Sequence, residues 1–319
     1  MALDNVPWFI GGGAEHGPEV SRMLAYAATS GAEGIVSPGD LKVVALPTPG
    51  ASVRVMPGGG VALNRYPGAT NQSYTIRNAT ATQVDIPATG SSGGAVRYLI
   101  LRVDDPQYGG QVPTNPLTGP YVRFDLVNSV DTLAYPYVPL ARIDQPANTA
   151  TITQAMITDL RQVANPRTGR VLRMLRGTPS ADLTTQLPSY QNWPITTPPT
   201  IDVPSWATHV QATMQVYGVG IINAATLGDW ELVIGWAPGP VIISNMSTYD
   251  FNQFGTASNP MRAPAMGLSL DKPVPAAMRG TTQTIRGRGG RSLASGSGFL
   301  RSDQQTQTVF DVWFMEVRE

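Results

Sequence analysis

Alternation of apolar and polar residues dominates two long stretches of the chain and predicts β-strands there. In the first stretch, residues 41–145, Val84 and Ile86 alternate with Gln83 and Asp85, which is typical of a half-buried strand. The strands predicted in the two stretches are 41–46, 52–56, 72–77, 83–86, 96–103 and 121–127, then 209–217, 230–236, 241–244, 281–286 and 309–317. The last strand is largely apolar on both faces, so we expect it at the centre of a β-sandwich.

A helical period replaces this alternation in three places. Pro18 and Glu19 suit the first turn of a helix over 17–30, and its apolar positions form one stripe: Val20, Met23, Leu24 and Ala27. A second helix is predicted over 150–164, capped by Thr151 or Thr153 and bounded by Pro166. A third helical pattern follows from Arg170 to Arg176. The second and third patterns form the predicted helical connector between two β domains.

Glycine and proline indicate where the regular elements end. Residues 57–60, Pro-Gly-Gly-Gly, lie between two strand patterns and predict a hairpin-type turn. Residues 178–200 contain five prolines among serine, threonine and glutamine, which favours a semi-rigid linker.

The order of these elements predicts a mainly β fold with two antiparallel, jelly-roll-like β-sandwich domains, an N-terminal helix and a short helical connector. The domain organisation that we predict is an N-terminal arm and helix at 1–40, a β-sandwich ending in a helix at 41–167, a helical and proline-rich linker at 168–200, and a C-terminal β-sandwich at 201–319.

Composition restricts the function. Charged residues make up 14% of the 319 residues and the formal net charge is zero, so a general nucleic-acid binder is not expected. Neutral surfaces of low charge tend to associate, and we therefore expect a homo-oligomer, with a trimer favoured. The chain has no cysteine, which excludes disulfides and thiol chemistry. The first residues lack a signal-peptide pattern and no apolar run is long enough to span a bilayer, so we expect no membrane insertion.

Candidate catalytic and metal-binding groups are sparse. The chain has two histidines, His16 and His209, far apart in sequence. Asp104 and Asp105 are adjacent, and neighbours in a strand face opposite ways; Asp229 and Glu231 share a strand face and suit a cation or a glycan better than catalysis. A structural role is the simpler interpretation for all of them. We therefore predict no enzyme activity, no catalytic or metal site and no cofactor.

Three groups of residues are candidate interaction sites. Trp8, Phe9 and Ile10 next to a glycine run, together with Met23 and Leu24 of the helix, form a predicted docking interface. Arg170, Arg173 and Arg176 could line one helix face and are assigned to contacts between subunits, because arginine is favoured at interfaces. The polar stretch 245–264 contains Tyr249, Phe251 and Phe254 and resembles a recognition loop, although a sandwich loop with aromatics packed on the core is the stronger alternative.

Three segments of the first half carry a resemblance to a known family. They are DNVPWFIGGGAEHGPEVSRMLAYAATSGAEGIVSPGDLKV, YLILRVDDPQYGG and PLARIDQPANTATITQAMITDLRQVANPR. They resemble a module of minor tail proteins from bacteriophages that infect actinobacteria, and the resemblance covers residues 1–167. The ending LARID…TITQAMITDLR is similar to the end of upper-baseplate and tail-fibre N-terminal domains. Residues 199–319 resemble no family known to us.

The resemblance implies a multimeric part of the virion at the distal tail, assembled in the host cytoplasm beside other phage tail proteins. The N-terminal half would dock onto the tail, and the C-terminal sandwich would face a partner or the host surface. Two alternatives are open: an adhesin that recognises host cell-surface glycan, and a virion-associated glycan hydrolase. The hydrolase needs two convergent carboxylates, and the sequence offers no convincing pair.

Overall fold

The computed structural model describes residues 17–69 and 71–319, which form two compact units. Unit 1 contains the residues up to Pro166 together with Val317–Glu319, and unit 2 is Arg167–Glu316. Antiparallel strand pairs make up the sheets of both units. The predicted mainly β fold, with one helix near the N-terminus, is confirmed.

Unit 1 begins with helix α1, Pro18–Ala28, and continues with ten short strands within the described residues. These are β1 (Gly34–Ile35), β2 (Val43–Ala45), β3 (Ser52–Val55), β4 (Gly58–Leu63), β5 (Ser73–Asn78), β6 (Thr82–Asp85), β7 (Ala95–Val103), β8 (Val122–Val127), β9 (Tyr137–Gln145) and β10 (Ile157–Asp159). They form three sheets, ordered β1-β4-β5, β2-β3-β6 and β10-β9-β7-β8. A shared apolar core, in which Leu99, Val138 and Ile143 are fully buried, holds the sheets together.

Unit 2 is a sandwich of two six-stranded sheets. Its strands are β11 (Thr168–Arg176), β12 (Ala181–Leu183), β13 (Gln191–Asn192), β14 (Thr200–Asp202), β15 (His209–Ile222), β16 (Thr226–Gly235), β17 (Val241–Ile243), β18 (Ser247–Phe251), β19 (Met261–Pro273), β20 (Thr282–Arg291), β21 (Phe299–Ser302) and β22 (Gln307–Met315). One sheet has the order β11-β22-β15-β21-β12 with β19 on β15; the other has the order β13-β20-β16-β17 with β14 on β20 and β18 on β16. Met214, Leu232 and Phe310 belong to a single core contributed by both sheets.

Strand β22 lies between β11 and β15, so its predicted central position is confirmed. Phe310, Val312 and Phe314 point into the core and are at most 1% exposed. The alternate residues face outward, and among them Trp313 is 43% exposed. The two faces of the strand therefore differ in burial, although the sequence is largely apolar on both.

The predicted turn at residues 57–60 is wrong, because Gly58–Leu63 is strand β4 and pairs with β5. The glycines are needed for close approach rather than for turning. A Cβ on Gly58 would lie 2.5 Å from the Cβ of Asp40, and the φ of Gly58 is +156°. Gly59 N–H donates to the Asp40 carboxylate at 3.0 Å.

The predicted helix over 150–164 is reduced to a single 3-10 turn, Gln154–Met156, followed by strand β10. Strand β10 pairs with β9, and Ile157 packs against the core. Beyond it, the fully buried Arg161 binds Asp159 through two hydrogen bonds of 3.0 and 2.8 Å and donates to the carbonyl of Pro38. These tertiary contacts favour an extended conformation of the segment, although its apolar residues have a helical spacing.

The helical pattern predicted from Arg170 to Arg176 is also wrong. Strand β11 pairs with β22 over all nine of its residues, from Thr168 opposite Met315 to Arg176 opposite Gln307. The three-residue spacing of the arginines does not determine the structure, because a continuous ladder satisfies every second backbone group of the segment.

The predicted linker over 178–200 is part of unit 2. It contributes strands β12 and β13 and the start of β14, and both Leu183 and Trp193 are fully buried in the core. The indole N–H of Trp193 donates to the carbonyl of Ala181 at 3.2 Å. Proline prevents long strands here, but the apolar residues between the prolines are buried like those of any core segment.

Candidate functional site

Helix α1 is attached to the rest of unit 1 through a polar side chain, that of Arg22. Arg22 donates to Gln72 at 2.6 Å, to the Asp105 carboxylate at 2.9 Å and to Gln107 at 2.6 Å. Its guanidinium also lies 5.5 Å from the ring centre of Tyr74 and 5.2 Å from that of Tyr108. Arg22 is thus the main anchor of the helix, and the apolar stripe alone gave no indication of it.

Arg22 lies in a partly buried cluster of charged and hydrogen-bonding side chains. The Arg22 side chain is 11% exposed and that of Asp105 is 14% exposed. Burial raises the pKa of Tyr74, and the hydrogen bond that its hydroxyl donates to Asp105 at 2.8 Å raises it further. The phenol is therefore a neutral donor, and Asp105 accepts from both Tyr74 and Arg22.

The apolar stripe of α1 is turned away from this anchor. None of the helix residues is buried, and Met23 and Leu24 are 46% and 49% exposed. Two adjacent, half-exposed apolar side chains on a helix that Arg22 holds from its polar side form a surface that can receive an apolar partner. We call Met23 and Leu24 the α1 face. The other docking residues of the sequence prediction, Trp8, Phe9 and Ile10, lie outside the described residues.

The arginines assigned to subunit contacts do not share one face. In strand β11, Arg170 and Arg176 alternate with Arg173, so they point to opposite sides of the sheet. Arg170 forms a bidentate pair with Asp311, at 2.8 and 2.7 Å, and lies 5.1 Å from the ring of Trp313. The expectation of a single arginine face is wrong, because it rested on the helical period.

The predicted recognition stretch 245–264 contains strand β18 and the first four residues of β19, with an irregular loop between them. Tyr249 lies in β18 and is 4% exposed, Phe251 is packed partly against the core, and Phe254 is 51% exposed. Burial raises the pKa of Tyr249 to about 12. Only Phe254 of the three aromatics offers a free surface, so the packed-loop alternative describes Tyr249 and Phe251.

The paired carboxylates have structural partners. Asp104 is 2% exposed and binds Arg102 at 2.8 Å and Arg123 at 2.6 Å. Asp105 accepts from the backbone N–H of Gln107 and caps the 3-10 turn Pro106–Tyr108. The two carboxylates point to different partners, so they do not converge on one substrate.

Asp229 and Glu231 are similarly engaged. Asp229 accepts from the Thr248 hydroxyl at 2.9 Å, and Glu231, which is 8% exposed, pairs with Arg288. Each of the two carboxylates therefore has a partner within its own sheet.

The remaining sequence-based candidates are histidines. His209 lies at the start of β15 and pairs with Asp271, whereas His16 is outside the described residues. Among residues 17–69 and 71–319, no group of three or more His, Cys, Asp or Glu side chains is placed to hold a metal ion. Over the same residues, no helix has the length and apolar character needed to cross a membrane.

Comparison with known proteins identifies no family. No family model matches the sequence. No curated protein matches it either.

Several solved structures are similar to the chain at low identity. The infectious bursal disease virus VP2 subviral particle is 12% identical over 91% of this chain and 73% of that chain, with a TM-score of 0.24. The T13 infectious bursal disease virus particle is 12% identical over 94% and 80%, with a TM-score of 0.25. The CBM22-1-CBM22-2 tandem domain of Paenibacillus barcinonensis Xyn10C is 11% identical over 87% and 96%, with a TM-score of 0.21. At these TM-scores the likenesses carry no argument about function.

Proposed function

We propose that the chain is a non-enzymatic structural protein of a bacteriophage virion, located at the tail tip or baseplate. In this proposal unit 1 docks onto a neighbouring tail protein, and unit 2 is presented to a partner or to the host surface. The sequence resemblance of residues 1–167 to tail modules supports this assignment. The structural observation that carries it is the α1 face, an apolar surface on a helix that is fixed to unit 1 by Arg22.

The partners of the described carboxylates favour a scaffold over an enzyme. Asp104, Asp105 and Glu231 are each held by arginine, as a structural carboxylate is. Glycoside hydrolysis needs two carboxyl groups that flank one substrate bond, whereas each of these three carboxylates is directed at an arginine of the same chain.

The test is assembly of tails that carry a modified α1 face. The double variant Met23→Glu/Leu24→Glu should fold normally, because both side chains are already in contact with water, and should be absent from purified tails. The matched control is Leu117→Glu, which changes a leucine that is 93% exposed and lies outside the helix. Incorporation of the double variant at the level of the control would contradict the docking role of α1.

A further inference from the structure

The outer face of the first sheet of unit 2 carries an open groove of about 480 Å³. Strand register places its lining in two rows. Trp313, Gln211 and Asp271 lie side by side across β22, β15 and β19, and Asp311, Thr213 and Ser269 form the next row. The residues between them along β15 point into the core, so the rows belong to the solvent face. Asn245, from the turn between β17 and β18, completes one end of the groove.

Trp313 is held in place by its neighbour. Arg170 is its cross-strand partner on the β11 side, with the guanidinium 5.1 Å from the indole centre. The bidentate bond to Asp311 fixes that guanidinium in turn. Trp313 and Asp311 line the groove, whereas Arg170 does not. The Trp313 side chain is 43% exposed, so it is available to a ligand in the groove.

The polar groups around the indole include both hydrogen-bond acceptors and donors, on neighbouring strands of the same sheet face. Hydrogen bonding from His209 holds the pKa of Asp271 below its usual range, and hydrogen bonding from Arg170 does the same for Asp311. Both are ionised acceptors at neutral pH. Gln211, one of whose N–H groups reaches Asp271 at 3.3 Å, and Asn245 supply amides, and Thr213 and Ser269 supply hydroxyls.

This combination matches the two surfaces of a sugar ring. The carbon–hydrogen face of a pyranose is apolar and stacks on an indole, and its hydroxyls donate to carboxylates and exchange hydrogen bonds with amides. A peptide side chain would leave most of these polar groups without partners, which costs binding free energy. The lining holds two carboxylates, Asp271 and Asp311, and one cation, Lys272, so an acidic polymer would bring further negative charge to a groove with more carboxylates than cations. The groove volume is in the range of ligand sites, about 300–1,000 Å³.

We propose that this groove binds a neutral glycan, with a sugar ring stacked on Trp313 and its hydroxyls bound by Asp271, Gln211 and Asn245. The site binds without cleaving, because glycoside hydrolysis needs one protonated carboxylic acid and both carboxylates here have basic partners that keep them ionised. The inference goes beyond the proposed function: it concerns the isolated chain, and it holds or fails whether or not the α1 face docks onto a tail.

The experiment is a titration of the full chain with chitohexaose, mannohexaose and galactotetraose. Calorimetry and tryptophan fluorescence measure the binding. Polygalacturonate is the acidic comparison. We expect at least one neutral oligosaccharide to bind and to shift the emission of the chain. Trp313→Ala should weaken that binding at least about tenfold. Trp236→Ala is the matched control, since Trp236 is 53% exposed and lies 4.0 Å from the guanidinium of Arg286, yet is outside the groove.

A second variant keeps the test valid if Trp313→Ala does not fold. Asn245→Ala changes an exposed side chain outside the strands and should weaken binding about three- to tenfold, the effect of losing one hydrogen bond. The proposal is overturned if none of the three neutral oligosaccharides binds, if polygalacturonate binds more tightly, or if the control variant loses as much affinity as Trp313→Ala. Release of new reducing ends from a bound oligosaccharide would overturn binding without cleavage.

Discussion

Arg22 and Arg161 show how single guanidinium groups fix segments that apolar packing alone does not hold. Arg22 joins α1 to Gln72, Asp105 and Gln107, and Arg161 is fully buried with its donors on Asp159 and a carbonyl. Arginine suits this task because its planar fork binds several acceptors at once and stays charged. All but two of the 22 lysine and arginine residues are arginine. The sequence does not show which acceptors each arginine meets, since the partners of Arg22 are 50 to 85 residues away from it.

Replacing Arg22 should loosen the helix and lower the stability of unit 1. Arg22→Ala leaves the partly buried Asp105 carboxylate without its main cation, and we expect a loss of about 2–3 kcal/mol in the free energy of unfolding. Urea denaturation followed by circular dichroism measures it. Arg54→Ala, at an exposed position of β3, is the control and should change stability by less than about 0.5 kcal/mol. Equal effects of the two variants would contradict the anchor role.

The Arg167–Glu316 pair should make unit 2 sensitive to acid. Hydrogen bonds from Arg167, one of 2.6 Å, hold the pKa of the Glu316 carboxyl below its ordinary value of 4.5. Because the folded pKa is lower than the unfolded one, the stabilisation is present above about pH 4.5 and is lost as pH falls through the folded pKa. Thermal unfolding from pH 7 down to pH 3 tests this. Glu316→Gln should flatten the pH dependence; an unchanged slope would exclude this pair as a source.

Most strands were predictable from the sequence because each carries its own pattern. The predicted strand 96–103 and the observed β7, Ala95–Val103, differ by one residue, and the predicted 52–56 and β3 differ at one end only. The failures at 150–164 and 170–176 have one cause, since in both a helical spacing of side chains competes with strand pairing. Strand β10 pairs with the preceding strand β9, and β11 pairs with β22 at the other end of unit 2. Local periodicity contains no information about that pairing. The candidate groove was missed for the same reason: Trp313, Gln211 and Asp271 become neighbours only through register.

The segment 178–200 should resist proteases although its sequence resembles a linker. Trp193 and Leu183 are fully buried, so cleavage there requires unit 2 to open. Among the described residues, thermolysin should first cut between 111 and 118, where Val112 is 65% exposed and Leu117 is 93% exposed. Mass spectrometry of the early fragments identifies the site. A first cut inside 178–200 would show that the segment is packed less firmly than its burial indicates.

At the scale of the whole molecule, the sequence predicts that copies of the chain associate, and a structure of one chain does not test this. Charged residues are 14% of the chain, against roughly 25% in typical soluble proteins. Exposed apolar side chains lie on the α1 face and on β11, where Leu172 and Met174 are 46% and 59% exposed. These surfaces are compatible with contacts between copies or with other proteins, and assembly into a homo-oligomer stays a prediction.

We expect multi-angle light scattering of the purified chain to give about three times the monomer mass of 33.9 kDa. Leu172→Glu/Met174→Glu should lower that mass if β11 forms the contact, and Met23→Glu/Leu24→Glu should lower it if the α1 face does. A monomer at all micromolar concentrations, with the neighbouring tail protein also present, would contradict the oligomer.

The pairing of β11 with β22 has a consequence for synthesis. Strand β11, the first long strand of unit 2, cannot pair until β22, the last strand, has been synthesised. In sequence, 141 residues separate Arg170 from its partner Asp311. At the usual rate of about 5–20 residues per second, a ribosome needs roughly 7–28 seconds to cover that distance. During this time β11 has no strand to pair with, and Val171 and Leu175, which pack against the core of the folded unit, are exposed to every other nascent chain nearby. Unit 2 therefore closes only after translation of β22, and a chain truncated before residue 307 should accumulate as an aggregate or a chaperone client rather than as a smaller domain.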